Sequence, residues 1–431
     1  MRNKIGLPIV FLLALLLLGN SSPTLQQRPT TSPKPKPPRL ASHVLLISIS
    51  GLRAEQANSP ESFRLKLPNL QSLQTKGSHA VGVESVYPSQ RIPAHVSMVT
   101  GMLPADHGVT SNYPFDEQTA SQSAAPFQSA KAIKSDTIWE AAKRDNLVTA
   151  AVGFPMTAEA NITFNSTETH NQSDAAKTES AIGLIEQHRP NLLAINLTSL
   201  DEAQRRFGIL SKESNAALEL IDGLVGKIVA AIERAGLGSE TAFLIVSDHG
   251  ASKVEREFRP NVLLAKKGFL TADGQGNIKS WRAVAQSFGG SAAIFLKTPQ
   301  DESTAREALA LFTELEKDSD NPLWRITIRR EAARLGADSR PTIYLDAAPL
   351  FQFSSRVTGS MVSKTDDRSA HGHLPSRAEM RGAFILSGKA IKPGRRIEYT
   401  RLIDVAPTVA RLLGLEMKTT RGRVLSEVIA Q

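Results

Sequence analysis

Five short runs of the chain are almost wholly apolar: HVLLISIS (43–50), LVTAAVGF (147–154), NLLAINLT (191–198), AFLIVSD (242–248) and GAFILSG (382–388). They are rich in β-branched residues and end in turn formers or polar residues, so each reads as a buried strand. A strand with one wet face alternates apolar and polar residues. These runs do not, so both of their faces must be covered. Helical patterns lie between them at 67–74, 137–142, 211–235 and 402–413. Strands alternating with helices predict an α/β fold, a doubly wound and mainly parallel sheet. Ligands bind such sheets beyond the carboxyl ends of the strands, which singles out Ser50, the segment after Thr198, and Asp248-His249.

Residues 255–360 are less regular. A helix at 304–316 and strands AAIFLK (292–297) and PTIYL (341–345) read as a smaller lobe inserted into one α/β domain spanning 40–431. The polar stretch 156–180 carries Asn-x-Ser/Thr triplets at Asn161, Asn165 and Asn171 and reads as a surface loop. The triplets become glycan acceptors only in a eukaryotic secretory pathway.

The formal charge of +9 invites a nucleic-acid reading, but its distribution removes it. Residues 1–39 hold six basic residues and no acidic one, leaving 45 basic against 42 acidic side chains beyond them. The globular part is nearly balanced, so no nucleic-acid partner is expected. Arg2 and Lys4 precede an uncharged stretch (5–18), and Gly19-Asn20-Ser21 supplies small residues at cleavage spacing. Residues 1–21 therefore read as an export signal, the alternative being an uncleaved membrane anchor, and 22–39 as a Pro-rich linker. Such a protein is periplasmic or secreted and meets a membrane only through this segment. With no cysteine, it depends on its core rather than on disulfides.

Four stretches carry residues of chemical interest. VSDHG (246–250) brings Asp248 and His249, ordinary ligands for a zinc-like ion, to a strand end. SAHGH (369–373) holds His371 and His373, and LTSLDEAQRRFG (197–208) places Asp201 after a strand. YPSQRIPAH (87–95), with MVTGMLPADHGVTSN (98–112), leads into a helix start at Arg91. Each has a bland reading: an aspartate capping a helix, a histidine as its partner, loop histidines without a role.

Together and in this order, these stretches resemble the type I phosphodiesterase/nucleotide pyrophosphatase family of the alkaline phosphatase superfamily. ISISGLR, LPNLQSL, EMRGAFILSG and LIDVAPTVARLLGL add to the likeness, which runs from about His43 to Leu415. The resemblance implies a doubly wound α/β domain with two zinc ions at the strand ends. It also implies a threonine nucleophile that attacks phosphorus while the ions stabilise charge.

Carried over residue by residue, the pattern is broken. The first metal-binding aspartate is Ser50, and the nucleophile position, nine residues before Thr100, is Arg91. The D-x-x-x-H pair is Asp201 with Arg205; Asp248, His249 and His371 match the remaining ligands, and Asn112 matches the phosphate-contacting asparagine. Arginine offers only donors and no nucleophile. The resemblance thus implies a pseudoenzyme with zinc lost or reduced. Its cleft, lined by Arg91, Arg205 and Asn112, is expected to take a phosphate- or sulfate-bearing ligand. The protein partner is left open. Two carboxylates facing two new cations further suggest that Arg91 and Arg205 replace the ions and pair with Asp201 and Asp248. Ser50, Ser89 and Thr100 are poor substitute nucleophiles. The alternative is a remodelled single-metal hydrolase of phosphodiester or phosphoanhydride bonds, its ion held by Asp248, His249 and a borrowed ligand such as His373.

Overall fold

The computed structural model describes residues 36–166, 172–317 and 320–430. The stretch expected as an export signal or anchor (1–21), the expected linker up to residue 35, and Asn171 lie outside the described residues. The main sheet is built from β1 (His43–Ile49), β2 (Ser78–Ala80), β3 (Thr149–Val152), β4 (Phe164–Ser166), β5 (Leu192–Leu197), β6 (Thr241–Val246), β7 (Phe384–Gly388) and β8 (Arg395–Ile397). Their order is β8-β2-β7-β6-β1-β5-β3-β4. The five strands from β6 to β4 run parallel, and β7 lies antiparallel on β6.

Alternation along β1 explains the two covered faces. Val44 and Leu46 join one core with Val99 of α2 (Arg91–Thr100), Trp139 of α3 (Ile138–Arg144) and Val409 of α7 (Val405–Leu413). Leu45, Ile47 and Ile49 join the other with Leu70 of α1 (Pro68–Lys76), Ile185 of α4 (Asp174–His188) and Ile228 of α6 (Lys212–Arg234). Truncating a fully buried side chain such as Trp139 to alanine costs about 3–5 kcal/mol. The α/β sheet expected from the apolar runs is what forms.

A second core lies over an antiparallel sheet in the order Ala283–Ser287, Ser291–Leu296, Ile343–Ala347, Leu323–Ile328. Phe295, Phe312 and Tyr344 fill it, joined by Tyr87 and Phe115 from the first part of the chain. The helix expected at 304–316 is Glu302–Leu315, started by the Asp301 carboxylate, which accepts from Thr304 N at 3.0 Å.

The stretch 156–180 is not simply a surface loop. It contributes β4 and the first turns of α4, capped by Ser173. Asp174 and Lys177 are charged yet almost wholly buried, with Nζ 3.3 Å from the carboxylate. Two buried charges that satisfy each other look like surface in a hydropathy reading.

Candidate active site

The register of β1 with its neighbours sets the site. Ile49 lies opposite Leu197, and Ser48 opposite Val246, so the residues following all three strands emerge side by side. They deliver Ser50, Asp201 on α5 (Ser199–Phe207), and Asp248-His249. Gly51 has φ +78°, and a Cβ there would stand 3.0 Å from Gln204 Oε1 and 3.3 Å from Asp201. Glycine lets α5 close onto β1.

Asp248 is fully buried and well held. Its carboxylate accepts from Ser50 Oγ at 3.1 Å, Gly51 N at 3.3 Å and His249 N at 3.0 Å, with His95 Nδ1 at 3.7 Å. Burial pushes its pKa up, but His249, His95, His371 and the Ser50 hydroxyl outweigh burial and hold the carboxyl below its ordinary range. His95 bridges Arg91 O (Nδ1, 2.7 Å) and Ser48 Oγ (Nε2, 2.8 Å). Burial lowers its pKa to about 4, so the ring is neutral near pH 7.

The other half of the site is built differently. His249 Nδ1 is 2.9 Å from Gly250 O, which makes it the donor nitrogen and leaves Nε2 as a buried lone pair without a hydrogen bond, 3.4 Å from Asp248 Oδ2. The His371 ring stacks on His249 at 4.0 Å, and its Nδ1 is also buried and unpartnered. Burial lowers the His371 pKa to about 4. Orphaned buried nitrogens are costly, and bare imidazole lone pairs are metal ligands. One ligand atom each from Asp201, His249 and His371 falls within 4.8 Å of the others. Two imidazoles and a carboxylate fit a single zinc-like ion with an open position. His371 is held from the second core: its carbonyl accepts from Gly290 N at 2.7 Å.

Three expectations are corrected. Neither Arg91 nor Arg205 forms an ion pair with Asp201 or Asp248 among the described residues. Arg91 is exposed, and Arg205 turns to Asp367 at 3.4 Å. A hydroxyl, backbone N–H groups and histidines satisfy Asp248 instead. His373 falls outside the group formed by Asp201, His249 and His371: its Nδ1 faces Arg377 at 2.7 Å, which itself binds Asp346 at 2.9 Å, while its buried Nε2 has no hydrogen-bond partner. The partner that joins His371 and Asp201 is His249. Asn112 is committed in part to the fold: its Oδ1 accepts from Ile92 N at 2.9 Å at the start of α2.

The candidate replacement hydroxyls are spent, as expected. Ser50 Oγ donates to Asp248, Ser89 Oγ to His373 O at 2.6 Å, and Thr100 Oγ1 to Val96 O at 2.7 Å, and all three residues are fully buried. A cleft of ≈ 200 Å³ opens above this floor, lined by Gln90, Tyr113, Asp201, Arg205, Asp367 and His371 among others. No motif or spacing in the chain singles out Gln90, Asp367 or Ser48.

The model of the type I phosphodiesterase/nucleotide pyrophosphatase family matches residues 44–373. The chain belongs to that family. A pyrophosphatase/phosphodiesterase of Schizosaccharomyces pombe is 26% identical over 48% of this chain and 44% of its own length. Human ectonucleotide pyrophosphatase/phosphodiesterase family member 1 is 26% identical over 48% of this chain and 23% of its own. The chain thus spans less than half the length of these curated relatives. Solved structures of ectonucleotide pyrophosphatase/phosphodiesterase 5, murine (TM-score 0.71, 17% identity) and human (0.72, 18%), share the fold over 90% of this chain and 100% of theirs.

Proposed function

We propose that this chain is an exported family member that has lost the family's turnover and binds an anionic phosphoryl or sulfuryl group in a metal-dependent way. The observation that carries the reading is Arg91. It is the first residue of α2, at the position the family gives to its attacking threonine, and the hydroxyls of Ser50, Ser89 and Thr100 are buried and already donating. Asp201, His249 and His371 would hold one ion, which supplies positive charge to an anion in the cleft.

The charge balance explains why the ion matters. The cleft is lined by Asp201 and Asp367 against the single cation Arg205, with Arg91 and Asp248 outside its lining, a formal net of −1 that disfavours an anion. One divalent cation reverses the sign, and anion binding should follow metal loading. An inactive substitution variant of murine ectonucleotide pyrophosphatase/phosphodiesterase 5, which shares this fold, has been solved in complex with AMP, so the fold of that relative holds a nucleoside monophosphate once turnover has been removed by substitution. Export is supported by the N-terminal charge pattern and by the "ecto" and venom descriptions of relatives. No helix among the described residues is long and apolar enough to cross a membrane.

The second reading, a single-metal hydrolase with a water nucleophile, rests on the same Asp201–His249–His371 group. One experiment separates the two. The purified chain is loaded with zinc, desalted, analysed for metal, and assayed with bis(p-nitrophenyl) phosphate and for phosphate binding. Zinc-dependent phosphate binding without hydrolysis supports the pseudoenzyme. Hydrolysis that disappears in His371→Ala supports the hydrolase, and a chain that binds neither zinc nor phosphate overturns both.

A further inference from the structure

A larger cavity adjoins the cleft. It measures ≈ 440 Å³ and lies between the hairpin Phe115–Asp116/Ser121–Gln122 and the second core. Gln122 lines both spaces, and its Nε2 donates to Ser287 O at 2.7 Å, so one tethered side chain stands between them. The lining contains no charged residue and no aromatic ring. Its polar groups are amides and hydroxyls, among them Gln118, Ser121, Asn277 and Gln286, with Ile278 and Val357 as an apolar wall.

That chemistry narrows the occupant. An isolated ion would find no countercharge, and a nucleobase would find no aromatic face to stack on. Gln286 is only 3% exposed; its Nε2 donates to Tyr113 O at 3.0 Å, and its Oε1 has no partner among the described residues. Gln122 Oε1 is likewise unpartnered among the described residues. Leftover carbonyl acceptors suit a molecule that brings several hydroxyl donors.

We propose that this cavity is a second subsite for a neutral, polyhydroxylated group, a sugar or polyol, and that the ligand is its phosphate ester, with the anion in the cleft and the hydroxyls against Gln122 and Gln286. The ester part of the inference rests on the anion-binding reading above; the sugar pocket stands on its own lining.

The test titrates the zinc-loaded full chain with inorganic phosphate, α-D-glucose 1-phosphate and methyl α-D-glucoside, by calorimetry and ligand-observed NMR. Two net hydrogen bonds predict about tenfold tighter binding of the sugar phosphate than of phosphate. Ser121→Trp, an exposed hairpin position, should fill the pocket and remove that gain while leaving phosphate affinity unchanged. Equal affinities for phosphate and sugar phosphate in the unaltered chain overturn the proposal. If phosphate fails to bind, the anion reading falls, and the pocket is judged on the glucoside. Saturation transfer from the chain to the glucoside that disappears in Ser121→Trp upholds the pocket, and no transfer in the unaltered chain refutes it.

Discussion

The two halves of the site treat buried polarity in opposite ways. Around Asp248 the hydroxyl standing where the family resemblance places a ligand closes the gap: Ser50 Oγ donates to the carboxylate at 3.1 Å and accepts from Asn196 Nδ2 at 3.1 Å. Around Asp201 nothing closes it. His371 Nδ1 and His249 Nε2 remain buried without hydrogen bonds, Nε2 lying 3.4 Å from Asp248 Oδ2, and Arg205, where the family resemblance places a ligand, turns outward to Asp367. A small hydroxyl can be absorbed into a hydrogen-bond network. A guanidinium on a helix surface escapes to solvent and leaves the remaining ligands in place, because it is long, strongly solvated and has a carboxylate at hand. One half has become structure, and the other still resembles a binding site.

The largest effect should come from the open half. Asp201→Asn or His371→Ala should weaken zinc binding by at least about a hundredfold, since even outer-shell partners are worth roughly 10–100-fold. Metal analysis after desalting reads this, and unchanged zinc in both variants would break the contrast between the halves. In the closed half, Ser50→Ala should instead cost about 1–3 kcal/mol of stability by leaving a buried carboxylate one donor short, with zinc affinity within about threefold. Urea unfolding beside a zinc titration sharpens the comparison.

A milder effect concerns α2, the scaffold both halves share. His107 Nε2 lies 3.0 Å from Ser97 Oγ on that helix, and burial lowers its pKa to about 3. The unfolded chain, with a histidine pKa near 6.5, binds this proton first. Its contribution to stability is therefore complete above about pH 6.5 and is lost as pH falls toward 3, at up to roughly 1.4 kcal/mol per unit. Urea midpoints at pH 7 and 5 should diverge, and by less in His107→Gln. The smallest effect is expected for Arg91→Thr, assayed with the same chromogenic diester. The hydroxyl alone should restore no turnover, because Ser50 and Arg205 still stand at ligand positions; measurable hydrolysis would show that the Asp201 half suffices for chemistry.

Much of this was legible in the chain. The runs at 43–50, 191–198 and 242–248 became adjacent parallel strands, so Ser50, Asp201 and Asp248-His249 met at one edge as expected. The reason is local: hydrophobic runs buried on both faces leave few ways to be covered, and strand ends follow from where those runs stop. The arginines show the limit. Opposite charges at metal-facing positions suggested pairing, but charge type in a sequence does not say which way a long side chain points, and Asp367 lies 162 residues from Arg205.

The sequence by itself determined the α/β class, the strand ends at which the site forms, and the arginine at position 91, where the family resemblance places the nucleophile. Only the tertiary structure decided that His249 joins Asp201 and His371, that Ser50 was absorbed by Asp248, and that Asp174 and Lys177 are interior. These depend on which nitrogen of a ring is already bonded and which carboxylate stands within hydrogen-bond reach. Such contacts are made between strands and helices remote in the chain, where no periodicity records them.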